Sequence, residues 1–316
     1  MSSTPTGSFS TGQVESASRG GARAIASELW TLTKPRLSLL AVITAVVGYF
    51  AGDPTSALAP FFWMLLGTSL AAGSCGALNQ YLEREADSRM ARTRTRPLPS
   101  GTLAPEVALV FGLVLGMCGV AMVAWGTNPL AAALTAATIL SYLLVYTPLK
   151  PLTPWATLVG AVPGALPPLI GWAAANNTLG ALGWILFGIL FAWQIPHFLA
   201  IAWNHRKDYA KAGMPMASVT DPSGQSCAVL SLVFTGLLAL ISLLPPILGQ
   251  ASWFIYAPAA AYGAWIFLKP AWSFFRARTD NRDQPARRLF LASIAYLPLV
   301  LFALVADRWL MPWILA

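Results

Sequence analysis

The chain has 316 residues, 56% of them hydrophobic and only 10% charged, with a mean hydropathy of +0.62. A water-soluble globule carries about 25% charged residues, so the composition excludes one, and this much apolar surface excludes a disordered chain as well. The charge is lopsided, 20 Lys and Arg against 12 Asp and Glu for a net +8, which fits nucleic acid, an anionic substrate, or the side of a membrane that collects Lys and Arg.

Residues 1–28 are rich in Ser, Thr, Gly and Ala, with Arg19 and Arg23 as cations and no apolar run long enough for a signal peptide. They are expected to form a disordered tail; a mitochondrial transit peptide is the alternative, for which two arginines are few. Residues 29–316 read as one all-α membrane domain. Apolar segments of roughly 17 to 25 residues, the length that crosses a hydrocarbon core, occupy 36–52, 58–80, 103–125, 129–147, 155–175, 180–202, 227–248, 252–268 and 288–306. Stretches such as Leu37 to Ala51 and Val107 to Trp125 contain no charged residue, whereas a helix facing water shows a polar stripe. Cys75, Cys118 and Cys227 lie far apart within apolar segments and suggest neither a disulfide framework nor a zinc site.

The second segment runs into Asn79-Gln-Tyr-Leu-Glu83-Arg-Glu-Ala-Asp87, then an arginine-rich stretch through Arg92 and Arg96 to Gly101. If the helix continues past the membrane, Asn79, Glu83 and Asp87 recur every four residues and share one face. Oxygen donors at this spacing suit Mg²⁺, which takes one or two carboxylates and completes its shell with water and substrate phosphate. Arg92 and Arg96 are placed to hold a diphosphate through bidentate hydrogen bonds. On an isolated soluble helix the same spacing more often marks a charged helix end. At the mouth of an otherwise uncharged bundle carboxylates are costly, and they tend to be functional.

The fourth segment ends at Tyr146-Thr-Pro-Leu-Lys150, and the fifth contains Gly160, Pro163, Gly164, Pro167, Pro168 and Gly171. This predicts a kinked or broken helix that lines a cavity, or close helix packing through the Gly160/Gly164 pair. Such a cavity would admit a lipid tail or a flat hydrophobic ring, with Tyr146 and Lys150 at its mouth to meet an anionic head. The sixth segment contains Trp193-Gln194-Ile-Pro196-His197-Phe198 and runs on to His205-Arg206-Lys207-Asp208-Tyr209. Asp208 is a candidate second Mg²⁺ anchor, with Arg206 and Lys207 on the phosphates. His197 follows a helix-bending proline; it can serve as a base, contact a cofactor or substrate, or hydrogen-bond a neighbouring helix.

The connections carry an orientation signal. Nineteen of the twenty cations fall in the tail and the even-numbered loops, and only Arg308 lies opposite. This predicts nine spans with a cytoplasmic N-terminus and an external C-terminus. It also accounts for most of the positive charge without nucleic acid, because the cations are spread over loops rather than gathered on a soluble module.

Together, Leu32-Thr-Lys-Pro-Arg36, Asn79 to Gly101, Tyr146 to Trp172 and Trp193 to Pro215 resemble the UbiA-type intramembrane prenyltransferases, along essentially the whole chain after the tail. The run Trp-Gln-x-Pro-His-Phe, followed by Lys-Asp-Tyr and Ala212-Gly-Met-Pro215, is similar to their haem-modifying branch. The resemblance implies nine helices around a central cavity open to the cytoplasmic face of a bacterial inner membrane. The activity it implies is transfer of a farnesyl group from farnesyl diphosphate to the 2-vinyl group of haem B, with addition of water and with Mg²⁺ assisting. It assigns Asn79, Glu83 and Asp87 to the first metal–diphosphate motif, with Glu83 where Asp is commoner. It assigns Asp208 and Lys207 to the second, where Ala212 replaces a further Asp. A haem A synthase is the expected recipient of the product. A prenyltransferase for another ring acceptor and a multi-span transporter are the rival readings; charged groups at mid-span, which ion pathways usually need, are missing from the predicted segments.

Overall fold

Prolines set where several helices begin, since a first-turn proline has its φ already in place and forfeits no intrahelical hydrogen bond. In the computed structural model, which describes residues 23–53 and 57–315, the long helices are α1 (Pro35–Gly52), α2 (Leu58–Arg89) and α3 (Pro105–Gly126), followed by α4 (Pro129–Leu149). Next come α5 (Ala156–Asn176) and α6 (Ala181–Asn204), α7 (Gln225–Ile247), α8 (Tyr256–Arg276) and α9 (Asp283–Leu315). Residues 23–32 are also helical, so the end of the expected disordered tail is ordered, while residues 1–22 lie outside the described residues. No strand occurs among the described residues, and the all-α architecture holds.

Eight of these helices are long and apolar enough to cross a membrane. The exception is α8. The sequence places a span at 252–268, but the helix begins at Tyr256 and runs to Arg276, taking in Lys269 and a terminal arginine. It packs between α7 and α9. The expected count of nine spans thus rests on α8, whose apolar stretch is diluted by Tyr, Pro, Trp and Ser as well as by Lys269.

Two helices depart from their expected lengths in ways that matter for the site. At about 1.5 Å per residue, the 32-residue α2 is about 48 Å long, against about 30 Å of hydrocarbon core. Its last turns therefore project beyond the apolar layer, carrying Asn79, Glu83 and Asp87 with them. The other is α4, whose end is wound as a π-helical turn over Ser141–Tyr146, with Thr147 Oγ1 donating to Tyr142 O at 2.9 Å. Such turns are frequent at functional sites, and this one directs Tyr142 and Tyr146 toward the same space.

Of the kinked or broken helix expected here, α5 shows no break: it is continuous from Ala156 to Asn176 with Pro163, Pro167 and Pro168 inside it, and both the cavity lining and the close packing are observed. Its small residues let α1 come close. A side chain at Gly171 would place Cβ 1.8 Å from Ala45 O, and one at Gly48 would place it 1.9 Å from Pro168 O. The largest apolar core is built mainly from α6, α7, α8 and α9, and a second joins α1, α2, α3, α4 and α5. Outward-facing positions are equally apolar, including Phe62, Val110, Met117 and Leu144, as expected of a protein solvated by lipid.

Candidate active site

A cavity of about 450 Å³ opens among α1, α2, α4, α5 and α6. Its charged residues, Lys34, Glu83, Asp87, Arg92, Arg96 and Lys150, gather with Asn79 at one end. Farther in, the lining is Leu37, Ala41, Ile139, Pro163, Pro167 and Ile201. The helical continuation of α2 is what puts Asn79, Glu83 and Asp87 in one row.

Each member of that row is met by a cation from a different part of the chain. Lys34 Nζ donates to Asn79 Oδ1 at 2.6 Å, Lys150 Nζ lies 2.7 Å from Glu83 Oε1, and Arg96 Nη1 lies 2.6 Å from Asp87 Oδ2. Asp87 is only 1% exposed, and Thr93 Oγ1 donates to its backbone carbonyl at 2.7 Å, which ties the arginine-rich loop to the end of α2. Asn79 Nδ2 reaches Thr147 Oγ1 at 3.4 Å. Lys150 also lies 4.6 Å from the centre of the Tyr146 ring. Burial, reinforced by Arg96 and Lys150, pulls the Lys34 ammonium down to about 7 against the opposing pull of Glu83 and Asp87. An anion entering the cavity would hold that proton in place.

Seven expected site residues therefore share this wall: Asn79, Glu83, Asp87, Arg92, Arg96, Tyr146 and Lys150. Four do not. Arg206 Nη1 is 3.1 Å from Asp283 Oδ1 and its guanidinium stacks 4.3 Å over Trp203. Lys207 is exposed and Asp208 half-buried, and neither lines the cavity; their helix, Arg206–Lys211, presents Tyr209 to it instead. Helix phase explains why Tyr209 and not Asp208 lines the cavity, since residues one or two apart point in different directions. His197 takes the last of the roles expected of it, a hydrogen bond to a neighbouring helix. Its Nδ1 is 2.7 Å from Ser293 Oγ on α9 and its ring stacks on Trp193 at 4.7 Å, so it joins two helices rather than facing the cavity.

Sequence reading missed Lys34, Tyr142, Gln194 and Phe198, all on the wall. Lys34 was visible in the Thr-Lys-Pro-Arg run but is easily counted as an orientation charge. In the left-handed conformation (φ 48°) it precedes Pro35 at the start of α1, which swings its side chain toward α2. Gln194 Nε2 donates to Leu190 O at 3.1 Å and Ala161 O at 3.4 Å. This leaves Oε1 turned toward Gly164, where an added Cβ would sit 2.0 Å from it. Gly160 serves similarly beside Tyr146, with 2.4 Å between its would-be Cβ and the ring. The glycines thus make room for side chains of the cavity wall.

Among the described residues no three His, Cys, Asp or Glu side chains cluster as a closed metal site. Two carboxylates and an amide in a row nevertheless suit Mg²⁺, which keeps water and substrate oxygens in its shell. Four cations beside them suit a polyanion.

Comparison with known proteins identifies the family. Residues 41–294 match the UbiA prenyltransferase family. The chain is 49% identical over 282 residues to a protoheme IX farnesyltransferase of Opitutus terrae, covering 89% of this chain and 95% of that one. It is 43% identical to one of Myxococcus xanthus, covering 90% and 95%. Among solved structures, a study of digeranylgeranylglyceryl phosphate synthase provides a chain that superposes with a TM-score of 0.76 at 16% identity, covering 90% of this chain and 98% of that one. A UbiA homolog from Archaeoglobus fulgidus bound to GPP and Mg²⁺ superposes with a TM-score of 0.60 at 16% identity, covering 88% and 99%; these two likenesses concern the fold.

Proposed function

The chain belongs to the UbiA prenyltransferase family, and its curated relatives along most of its length are protoheme IX farnesyltransferases; from that premise we propose that it transfers a farnesyl group from farnesyl diphosphate to the 2-vinyl group of haem B, giving haem O. The observation that carries the reading is the joining of a row of oxygen donors and four cations to an apolar cavity. Asn79, Glu83 and Asp87 would hold Mg²⁺, as its preference for few carboxylates suggests. When bound, the metal neutralises negative charge on the diphosphate.

The chain's own residues do the rest. Lys34, Arg92, Arg96 and Lys150 bind the diphosphate and stabilise the charge that grows on it as the allylic C–O bond breaks and the bonding pair leaves with oxygen. Leu37, Ala41, Ile139 and Ile201 surround the prenyl chain and keep bulk water from its cationic C1. The terminal vinyl carbon supplies the electron pair for the new C–C bond. Water then adds at the inner vinyl carbon, and the proton it loses passes to the released diphosphate. Tyr142 and Tyr146 offer ring faces to the cationic centre.

We further assign the protein to the bacterial inner membrane, with the cavity mouth cytoplasmic, on the strength of the Lys/Arg bias of the even-numbered loops. A haem A synthase is the natural recipient of so hydrophobic a product. Purified membranes incubated with haem B, farnesyl diphosphate and Mg²⁺ should yield a haem heavier by one farnesyl group and one hydroxyl group. A product bearing the prenyl group on another ring acceptor, with haem left untouched, would overturn the assignment.

A further inference from the structure

Arg282 lies at the same end of the bundle as the cavity mouth, in the connection between α8 and α9, and is 3% exposed. Its Nη2 donates to Ala277 O at 2.6 Å and to Gln225 Oε1 at 2.9 Å. Its Nε and Nη1 are buried with no hydrogen-bond partner. The three ion pairs among the described residues use Arg96, Lys150 and Arg206, so none neutralises Arg282. A buried guanidinium left half-satisfied is costly, and buried charges are ordinarily paired.

The surroundings point to the missing partner. Arg282 borders a surface depression of about 560 Å³ together with Arg276, Arg278, Ser223, Thr279 and Asp280. Three guanidinium groups outnumber the one lining carboxylate, Asp280; Asp221 behind them also acts on Arg282 by its charge, while its oxygens accept from Ser223 and Ser226. The depression is held together from both sides, because Thr279 Oγ1 donates to Ser223 O at 3.4 Å and Arg282 bridges to Gln225. Beside it, the exposed Trp272 lies under Arg276 at 5.8 Å, and about two helical turns earlier Trp265 lies under Lys269 at 5.5 Å. Exposed tryptophans with flanking cations are the composition of a membrane–water interface, where anionic headgroups attract Lys and Arg.

We propose that this depression, separate from the prenyl-transfer cavity, binds a phosphate group through Arg276, Arg278 and Arg282. The group is presented by the headgroup of an anionic phospholipid. Arginine suits it because the planar fork matches phosphate oxygens two at a time.

The test uses the full chain, purified in detergent, with native mass spectrometry counting retained phosphatidylglycerol against phosphatidylcholine, and with inorganic phosphate as competitor. The wild type should retain phosphatidylglycerol preferentially, and Arg278→Gln, which leaves the buried Arg282 in place, should weaken that retention about ten-fold. Arg282→Gln should weaken it further; if that variant unfolds, the Arg276→Gln, Arg278→Gln double variant takes its place. Binding of inorganic phosphate without lipid preference would retain the phosphate site and assign it to a soluble ligand. Equal retention of both lipids by the wild type with no binding of inorganic phosphate would overturn the proposal, as would unchanged phosphatidylglycerol retention in the folded variants.

Discussion

Asp87 has more than one task. Its carboxylate is buried against Arg96 at 2.6 Å, and its carbonyl anchors Thr93. Removing the carboxylate takes away a donor of the proposed metal site and strands Arg96, so Asp87→Ala should lower prenyl transfer by about two orders of magnitude or more while the protein stays in the membrane; near-normal turnover would remove the row from the metal-binding role. Lys34 acts on binding as well as on chemistry. Lys34→Met should raise the KM for the prenyl diphosphate about ten-fold, the value of one charge-assisted contact. For His197 the expectation is the opposite. Its bond to Ser293 is worth about 1 kcal/mol to stability, so His197→Ala should lower the unfolding temperature in detergent and leave the haem absorption spectrum unchanged. A displaced spectrum would put the histidine back among the substrate contacts.

At the scale of elements, α5 sets how close α1 and α6 can come to the cavity. Gly171 faces backbone across the α1 contact, with its would-be Cβ 1.8 Å from Ala45 O, and a carbonyl in a packed helix has little room to yield. Gly171→Ala should therefore destabilise the bundle by about 1–3 kcal/mol, the usual cost of overpacking, seen as an earlier thermal transition. Gly164 faces Gln194 instead, a side chain that can rotate. Gly164→Ala should spare stability and act on the cavity, reducing transfer to the bulky acceptor more than it reduces binding of the prenyl diphosphate. Equal losses in both would show that Gly164 serves packing alone.

The whole molecule raises a question of topology that α8 decides. With eight crossings both ends of the chain lie on one side of the membrane; with nine they lie on opposite sides. Cysteines introduced at Arg278 and Gln250 should react with a membrane-impermeant thiol reagent from opposite sides, because α8 separates them. Reaction from the same side would show that α8 does not cross. Its cations, Lys269 and Arg276, lie toward one end and partner Trp265 and Trp272, as a helix anchored at an interface would arrange them.

Composition and period were sufficient for the solvent, the helical class and the row Asn79, Glu83, Asp87, because a four-residue spacing has one meaning once the helix is known to continue. Arg92, Arg96 and Lys150 were legible too, since cations beside such a row suit the same anion. The resemblance of the ordered motifs to the UbiA family supplied the chemistry that spacing alone left open. Asp208 and His197 lie off the cavity lining because each is near a turn or proline where a rotation of one residue, about 100°, changes which side chain faces inward. Lys34 and Gln194 enter the site through contacts with residues 45 and 33 positions away, and Arg282 is left half-partnered by the joining of two distant connections. The sequence by itself determined the medium, the helices and the acidic row, all of which depend on local order and hydropathy. Only the tertiary structure decided which cation meets which oxygen and which polar groups remain unpaired, because those depend on how distant helices are rotated against one another.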